Sequence, residues 1–329
     1  MKHLSRREFV ALAVAGTAAS RVVSPFAREL HPSAASITAN DIVERIKKNI
    51  GVEWKAVTVD AFKIGDPSTV VTGVVTTSMA TLDVLQQAVK AGANFVITAQ
   101  PTFYSKADSK SPPVGRGGLP GRGGAGAGAA AGEVPPTPPA PVPPPPSDPV
   151  YTGKNDFIAR NNLVVFRLSD HWKLRTPDPI GEGLGAALGW TKYRVGADTL
   201  RYDVPSMTLD ALASHVKKSL GIRGGLRVIG DPQLKVQHIG LLPGTTPIQA
   251  SLQLMPAVDA IIAGEVREWE SATYAQDLVY TGGKKGFMTV GRVVDEEPGM
   301  GICADWLKTI VREVPIRHIS AGDPYWRPL

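Results

Sequence analysis

Residues 68–99 contain two apolar, β-branched segments separated by an amphipathic one, and this spacing constrains the fold more than any other feature of the chain. The segments STVVTGVVT (68–76) and NFVITA (94–99) predict strands, and residues 80–91 between them predict a helix. A strand–helix–strand unit of about 30 residues has room for the crossover that parallel pairing requires. The sequence therefore predicts an α/β fold with a parallel core.

The rest of the chain continues this alternation. Further strands are predicted at 163–167, 226–230, 236–242, 258–263, 286–291 and 316–320. Further helices are predicted from about residue 40, near 155, and at 180–188, 208–220, 247–255, 267–278 and 300–314. We expect two α/β lobes that face each other across a central cleft. The expected first lobe comprises 36–111 and 150–200, and the expected second lobe comprises 201–329.

The predicted first lobe is interrupted by residues 112–149, which contain 13 prolines and 9 glycines among 38 positions. A glycine-rich part is followed by a proline-rich part, which favour flexible coil and polyproline II conformation respectively. Few large apolar side chains are present to form a core. The tract is predicted to be a disordered insertion, and its proline-rich part leaves open a role in binding a proline-recognition module.

Residues 1–35 have the pattern of an export signal. A basic start precedes an apolar stretch at 9–19 that is too short to span a bilayer. The sequence SRREFV (5–10) resembles a twin-arginine signal, which predicts a periplasmic or secreted protein. An ordinary basic leader with two adjacent arginines is the alternative interpretation.

Charge and cysteine content exclude several classes of protein. The formal charge is +6. The leader has five basic and two acidic residues, a net charge of +3. Its removal leaves a net charge of 6 − 3 = +3 on the rest of the chain, which does not favour a nucleic-acid partner. The single cysteine, Cys303, excludes an intrachain disulfide and a cysteine-based zinc site. No run of 18 apolar residues occurs outside the leader, so no membrane span is expected.

Residues that directly follow predicted strands are the candidate site, because ligands of open α/β sheets bind beyond the carboxyl ends of the strands. Ala99 and Gln100 follow the strand at 94–99. The other strand ends are followed by a set of mixed charge without a Ser-His-Asp order, which comprises Asp170, His171, Glu265, Arg292, Glu296 and Glu297. For Glu265, a role in the pocket and a role in stabilising the start of the following helix remain equally open.

Five segments in order resemble the Nif-three-like dinuclear metal centre family, also known as GTP cyclohydrolase I type 2-like. They are 58–104, 161–172 (NNLVVFRLSDHW), 261–277 (IIAGEVREWESATYAQD), 289–308 (TVGRVVDEEPGMGICADWLK) and, for an exported branch, 320–326 (SAGDPYW). The resemblance implies two α/β lobes around a cleft with two metal ions, toroidal hexamers, and a metal-dependent hydrolytic activity.

The residues that match the family's metal ligands are only partly retained. Asp170 and Glu296 keep the carboxylates, and His171 is a further candidate ligand. Ala99 stands where the family has a histidine, and Gln100 stands where it has a histidine or an acid. Arg292 replaces another histidine, and a guanidinium has no lone pair with which to bind a metal. We therefore expect a degenerate metal site, with Arg292 paired to Glu296 or Asp170.

Three functions are consistent with the sequence. The first is a binding or scaffold protein without a cofactor, which holds an unidentified small molecule and assembles as a homo-oligomer, on the family's pattern a hexamer. The second is a metal-dependent hydrolase that binds one divalent ion, Zn²⁺, Mn²⁺ or Fe²⁺, through Asp170, Glu296 and His171. The third is an interaction protein whose functional element is the insertion at 112–149.

The leader gives a direct prediction about export. Replacing both Arg6 and Arg7 with lysine should leave uncleaved precursor in the cytoplasm, because the twin-arginine machinery recognises the arginine pair. Immunoblotting of periplasmic and cytoplasmic fractions would measure this. Undiminished export of the double-lysine protein would show that the leader is an ordinary basic signal.

Overall fold

The computed structural model describes residues 36–106, 108–111, 148–223 and 226–325, and within them the chain forms two mixed β-sheets with helices on both faces. The predicted export signal at 1–35 lies outside the described residues, and so do residues 112–147 of the predicted disordered insertion at 112–149. Within the described part, no helix combines the length and the apolar character needed to cross a bilayer.

Eleven strands are present in the described residues. In chain order they are β1 (Phe62–Ile64), β2 (Val74–Thr77), β3 (Phe95–Thr98), β4 (Val164–Arg167), β5 (Arg194–Val195), β6 (Asp198–Thr208), β7 (Arg227–Ile229), β8 (Lys235–Thr245), β9 (Ala260–Glu265), β10 (Gly286–Thr289) and β11 (Ile316–His318). Nine α-helices accompany them, namely α1 (Ala39–Asn49), α2 (Leu82–Lys90), α3 (Pro149–Arg160), α4 (Asp170–Lys173), α5 (Pro179–Ala187), α6 (Leu209–Ser219), α7 (Ile248–Leu254), α8 (Thr273–Tyr280) and α9 (Arg292–Ile310). A short π-helix, Glu268–Ala272, leads directly into α8.

The first sheet has the order β1-β4-β3-β2-β11. Strands β2, β3 and β4 pair in parallel, as the strand–helix–strand pattern predicts, and β11 adds a further parallel strand beside β2. Both faces are buried. Phe95 and Ile97 of β3 pack in one core with α1 and α9, whereas Val96 between them packs in the opposite core with α2 and α3. This double burial explains why the strand sequences are continuously apolar rather than alternating.

The second sheet has the order β5-β6-β8-β9-β10-β7. Strands β8, β9 and β10 are parallel, and the strands beside them, β6 and β7, are antiparallel. Its two faces are again separate cores. Ile262 of β9 packs with Val216 of α6 on one face, while Ile261 packs with Ala275 of α8 on the other. The predicted two-lobe α/β architecture is confirmed.

The boundaries of the lobes differ from those predicted. The second sheet begins at β5 rather than at residue 201. The long strand β6, in which buried and exposed residues alternate in part, was not predicted from the sequence. The C-terminal strand β11 returns to the first sheet, so the chain crosses back between the lobes along α9. Helix α3 begins at Pro149, with Asp148 accepting a hydrogen bond from the backbone N–H of Val150, so Pro149 belongs to the folded lobe.

Helix α9 begins eight residues before the predicted start at 300. Pro298 lies inside it, and an internal proline normally ends or kinks a helix because it lacks an N–H donor. Buried side chains on both sides of Pro298 offset this loss. Glu296 and Glu297 precede it, and Met300 and Cys303 follow it in the first core.

The crossing of α5 and α9 depends on glycine. A Cβ atom on Gly183 of α5 would lie 2.5 Å from the backbone nitrogen of Gly299 and 2.7 Å from the carbonyl carbon of Pro298. A Cβ on Gly299 would in turn lie 2.7 Å from Cα of Ile180. Because the atoms that would clash are backbone atoms, the helices cannot adjust by changing a rotamer. Glycine therefore permits the close approach that holds α9 between the lobes.

Replacing Gly183 with alanine should lower the free energy of unfolding by about 3 kcal/mol, because the added methyl group forces the two helix backbones apart. Gly153→Ala is a matched control. Gly153 lies in α3 with no atom within 4 Å of the added Cβ, so helix propensity should raise stability by about 0.5–1 kcal/mol. Urea denaturation of both variants would measure the difference, and equal stabilities would show that the crossing is loosely packed.

Candidate functional site

A cavity of about 830 Å³ lies between the two lobes. The first lobe contributes residues that follow β3, including Gln100 and Tyr104. The second lobe contributes residues at the ends of β9 and β10, including Glu265 and Arg292. The cavity therefore lies where ligands of parallel sheets bind, beyond the carboxyl ends of the strands.

Glu296 is completely buried and contacts two residues that line the cavity, Gln100 and Arg292. Its Oε1 accepts a hydrogen bond from Nζ of Lys173 at 2.6 Å and a longer one from Nε of Arg292 at 3.4 Å. Its Oε2 accepts a short hydrogen bond from the amide Nε2 of Gln100. One buried carboxylate is thus surrounded by an ammonium, a guanidinium and an amide donor, which together satisfy its charge and its lone pairs.

Two glycines make room for the carboxylates of α9. A Cβ on Gly264 would lie 2.0 Å from Oδ2 of Asp295, and a Cβ on Gly244 would lie 2.9 Å from Oε1 of Glu296. Gly244 also has φ +79°, a conformation that other residues adopt at a cost. The ends of β8 and β9 are therefore shaped around the acidic side chains.

Asp295 is a second fully buried acid beside Glu296. Its Oδ2 accepts a hydrogen bond from the backbone N–H of Gly244 at 2.9 Å, and its Oδ1 has no hydrogen-bond partner in the described part of the chain. Burial, and then the negative charge of Glu296, raise the pKa of Asp295 well above its ordinary value. The folded protein therefore favours the protonated form of this carboxyl group.

The side chain of His171 is held within the first lobe. Its Nε2 accepts a hydrogen bond from the backbone N–H of Lys55 at 2.8 Å, and its Nδ1 lies 2.7 Å from Oδ2 of Asp60. The ring stacks on Trp54 at 3.8 Å and is completely buried. Both ring nitrogens therefore have partners within the first lobe, and a role of His171 as a metal ligand stays a prediction.

Asp170 is also held by the first lobe rather than by Arg292. Its Oδ2 accepts hydrogen bonds from the Thr58 hydroxyl at 2.9 Å and from the backbone N–H of Val59 at 3.1 Å. Asp60 accepts hydrogen bonds from the backbone N–H groups at the start of α4, and so fixes the direction in which Asp170 projects. Of the two partners expected for Arg292, only Glu296 forms an ion pair with it in the described residues.

The structure divides the predicted site residues into three groups. Gln100, Glu265 and Arg292 line the cavity. Glu296 does not line it but contacts Gln100 and Arg292, which do. Asp170, His171 and Ala99 do not line it, and the methyl group of Ala99 packs in the first hydrophobic core.

Lys173 belongs to this site but is not among the site residues predicted from the sequence. It projects from the short helix α4 toward α9 and forms the closest ion pair of Glu296. A lysine three residues after a predicted ligand gives no sequence signal of this role. The contact depends on how α4 docks against α9.

Comparison with known proteins identifies similar folds among solved structures. No family model matches the chain, and no curated protein matches it. Among solved structures, a hypothetical protein of Staphylococcus aureus is similar with a TM-score of 0.61 and 14% identity, covering 89% of this chain and 100% of that one. A Bacillus cereus protein related to NIF3 is similar with a TM-score of 0.60 and 14% identity, covering 89% and 99%.

A third solved structure, the protein ybgI of unknown function, has a TM-score of 0.60 and 18% identity, covering 88% of this chain and all of its own. The similarity extends over nearly the full length of each neighbour. The chain therefore has the fold of NIF3-related proteins.

The buried acid Asp295 gives a pH-dependent prediction. Because its pKa is raised on folding, the folded state binds more protons than the unfolded state, and the free energy of unfolding should fall as the pH rises above about 4. Asp295→Asn should therefore raise stability at pH 7 and show a smaller gain at pH 4. The exposed Asp305→Asn on the same helix is the control, and chemical denaturation between pH 4 and 8 is the measurement. A loss of stability in Asp295→Asn at pH 7 would contradict the assignment.

Proposed function

We propose that this chain is a NIF3-related protein that binds a small molecule in the cleft between its lobes without a dinuclear metal centre. The proposal rests on the surroundings of Glu296, the carboxylate that the family resemblance matches to a metal ligand. Here Lys173 and Arg292 supply positive charge to it, and Gln100 supplies an amide donor. In this proposal, these protein cations take the place of the metal ions that the family resemblance implies.

The donors present do not fit a dinuclear metal site. Arg292 and Lys173 cannot donate a lone pair in their charged forms, and Gln100 directs its Nε2 toward Glu296. Among the residues that the structure describes, no three His, Cys, Asp or Glu side chains converge in a group able to hold a metal ion. This proposal therefore assigns no chemical step to a metal ion.

The second candidate, a hydrolase that uses one ion held by Asp170, Glu296 and His171, finds less support. His171 uses both ring nitrogens within the first lobe, and Asp170 accepts hydrogen bonds from the loop at residues 58 and 59. Glu296 is enclosed by its own protein donors. To bind one ion together, these side chains would each have to give up existing contacts.

Two further properties are part of the proposal. The leader supports export by the twin-arginine route to the periplasm or the medium. The family resemblance supports assembly into a homo-oligomer, with a hexamer as the expected form. Multi-angle light scattering of the purified protein would measure its mass against the 34.8 kDa of one full chain.

Elemental analysis tests the metal-free cleft. After incubation with Zn²⁺, Mn²⁺ or Fe²⁺ and desalting, the wild-type protein should retain less than one divalent ion per chain. Arg292→His should give the largest single gain. It adds an imidazole and removes a charge that repels a dication by about 8 kcal/mol at about 4 Å with an effective dielectric constant of about 20.

Adding Gln100→Glu and then Lys173→Met should increase the retained metal stepwise, because the first adds a carboxylate and the second removes a cation from Glu296. Arg227→His is the matched control. It makes the same substitution at another cation of the cavity, one that pairs with Glu268 rather than with Glu296. One or more tightly held ions per chain in the wild-type protein would refute the proposal, and one ion per chain would favour the hydrolase.

A further inference from the structure

The guanidinium group of Arg292 has unused hydrogen-bonding capacity at the wall of the cavity. Only its Nε contacts Glu296, at 3.4 Å, while Lys173 contacts the same oxygen at 2.6 Å. The terminal nitrogens Nη1 and Nη2 donate no hydrogen bond to any described residue, and the side chain is 33% exposed. A planar fork of N–H donors therefore faces the cavity, with the geometry that binds carboxylate or phosphate in a bidentate manner.

Gln100 provides a second polar group at the same place. It lines the cavity although it is only 4% exposed, and its Nε2 is committed to Glu296. Its Oε1 accepts no hydrogen bond from the described residues. A polar side chain that is more than nine-tenths buried thus retains an unpartnered acceptor, which a ligand with a hydroxyl or N–H donor would satisfy.

The start of helix α9 adds to the positive potential beside Arg292. Gly291, the residue before the helix, has no side chain to cap it, and no described residue accepts a hydrogen bond from the backbone N–H groups of Val293 and Val294. Both of these residues line the cavity. Free N–H groups and the helix dipole favour an anion at this end of the cavity.

The walls of the cavity indicate the shape of the ligand. Tyr104 and Tyr325 line it and are 61% and 69% exposed, so a planar group has aromatic surface on which to pack. Glu265 and Asp323 also line the cavity. Lys106 and Arg227 line it as well, and Arg227 is paired with Glu268. The lining is therefore of mixed charge, and the position that best fits an anionic group is Arg292, where the guanidinium and the start of α9 coincide.

We propose that the cleft binds a small planar molecule that carries one carboxylate or phosphate group, with that group held by the guanidinium of Arg292 at the start of α9. This inference rests on the proposed function, since a metal-free cleft leaves the guanidinium available to the ligand. The carboxylate and the phosphate share the same recognition chemistry, and the experiment separates them.

Isothermal titration calorimetry in chelator-treated buffer would test the proposal with benzoate, phenyl phosphate and the neutral benzyl alcohol as probes. At least one of the two anionic probes should bind at least tenfold more tightly than benzyl alcohol. Arg292→Gln should weaken that binding at least tenfold, and Arg292→Lys should fall between, because it keeps the charge and loses the fork.

Arg227→Gln is the matched control. Arg227 also lines the cavity, but its side chain is 72% exposed and is paired with Glu268, so its loss should change binding less than twofold. Circular dichroism would establish that each variant is folded.

Three results would overturn the inference: equal binding of the neutral probe, unchanged binding by a folded Arg292→Gln variant, or no binding of either anion at millimolar concentration. None of these would change the metal content of the wild-type protein. Failure of this inference is therefore distinguishable from failure of the proposed function, which elemental analysis decides.

Discussion

Three consecutive carboxyl groups near the start of α9 are buried, and the arrangement of both lobes depends on satisfying them. Their partners come from separate parts of the chain. Asp295 accepts a hydrogen bond from Gly244, and Glu296 contacts Gln100, Lys173 and Arg292. Glu297 contacts Ser78, His318 and Ala321. A buried carboxylate without partners would be strongly destabilising. The lobes therefore meet at α9 in an arrangement that brings the donors of Glu296 and Glu297 together, while burial favours the neutral form of Asp295.

Glycine makes that arrangement sterically accessible. Gly183 and Gly299 allow α5 and α9 to cross with their backbones in contact, and Gly244 and Gly264 leave room for the acids themselves. Close packing and burial of charge are thus coupled, because a bulkier residue at any of these positions would move α9 away from the groups that satisfy its carboxylates. Gly264 and Arg292 both line the cavity, so this closely packed region forms part of its wall.

The charge of Glu296 is compensated by two cations of the protein itself. Lys173 and Arg292 both pair with its Oε1. This compensation is the physical basis of the proposal that the cleft works without a dinuclear metal centre. The long contact of Arg292 with Glu296, compared with the short contact of Lys173, leaves the arginine free to act at the surface of the cavity.

The sequence by itself determined the α/β class, the parallel pairing of β2 with β3, and the positions of Gln100, Glu265 and Arg292 at strand ends, because local periodicity and strand termini are encoded over short distances. Only the tertiary structure decided that Lys173 pairs with Glu296, that His171 is occupied within the first lobe, and that β11 returns to the first sheet. Each of these depends on contacts between segments far apart in the chain. The start of α9 was also decided by tertiary structure. Pro298 predicts a helix break from the sequence, but the burial of residues on both sides of it maintains the helix.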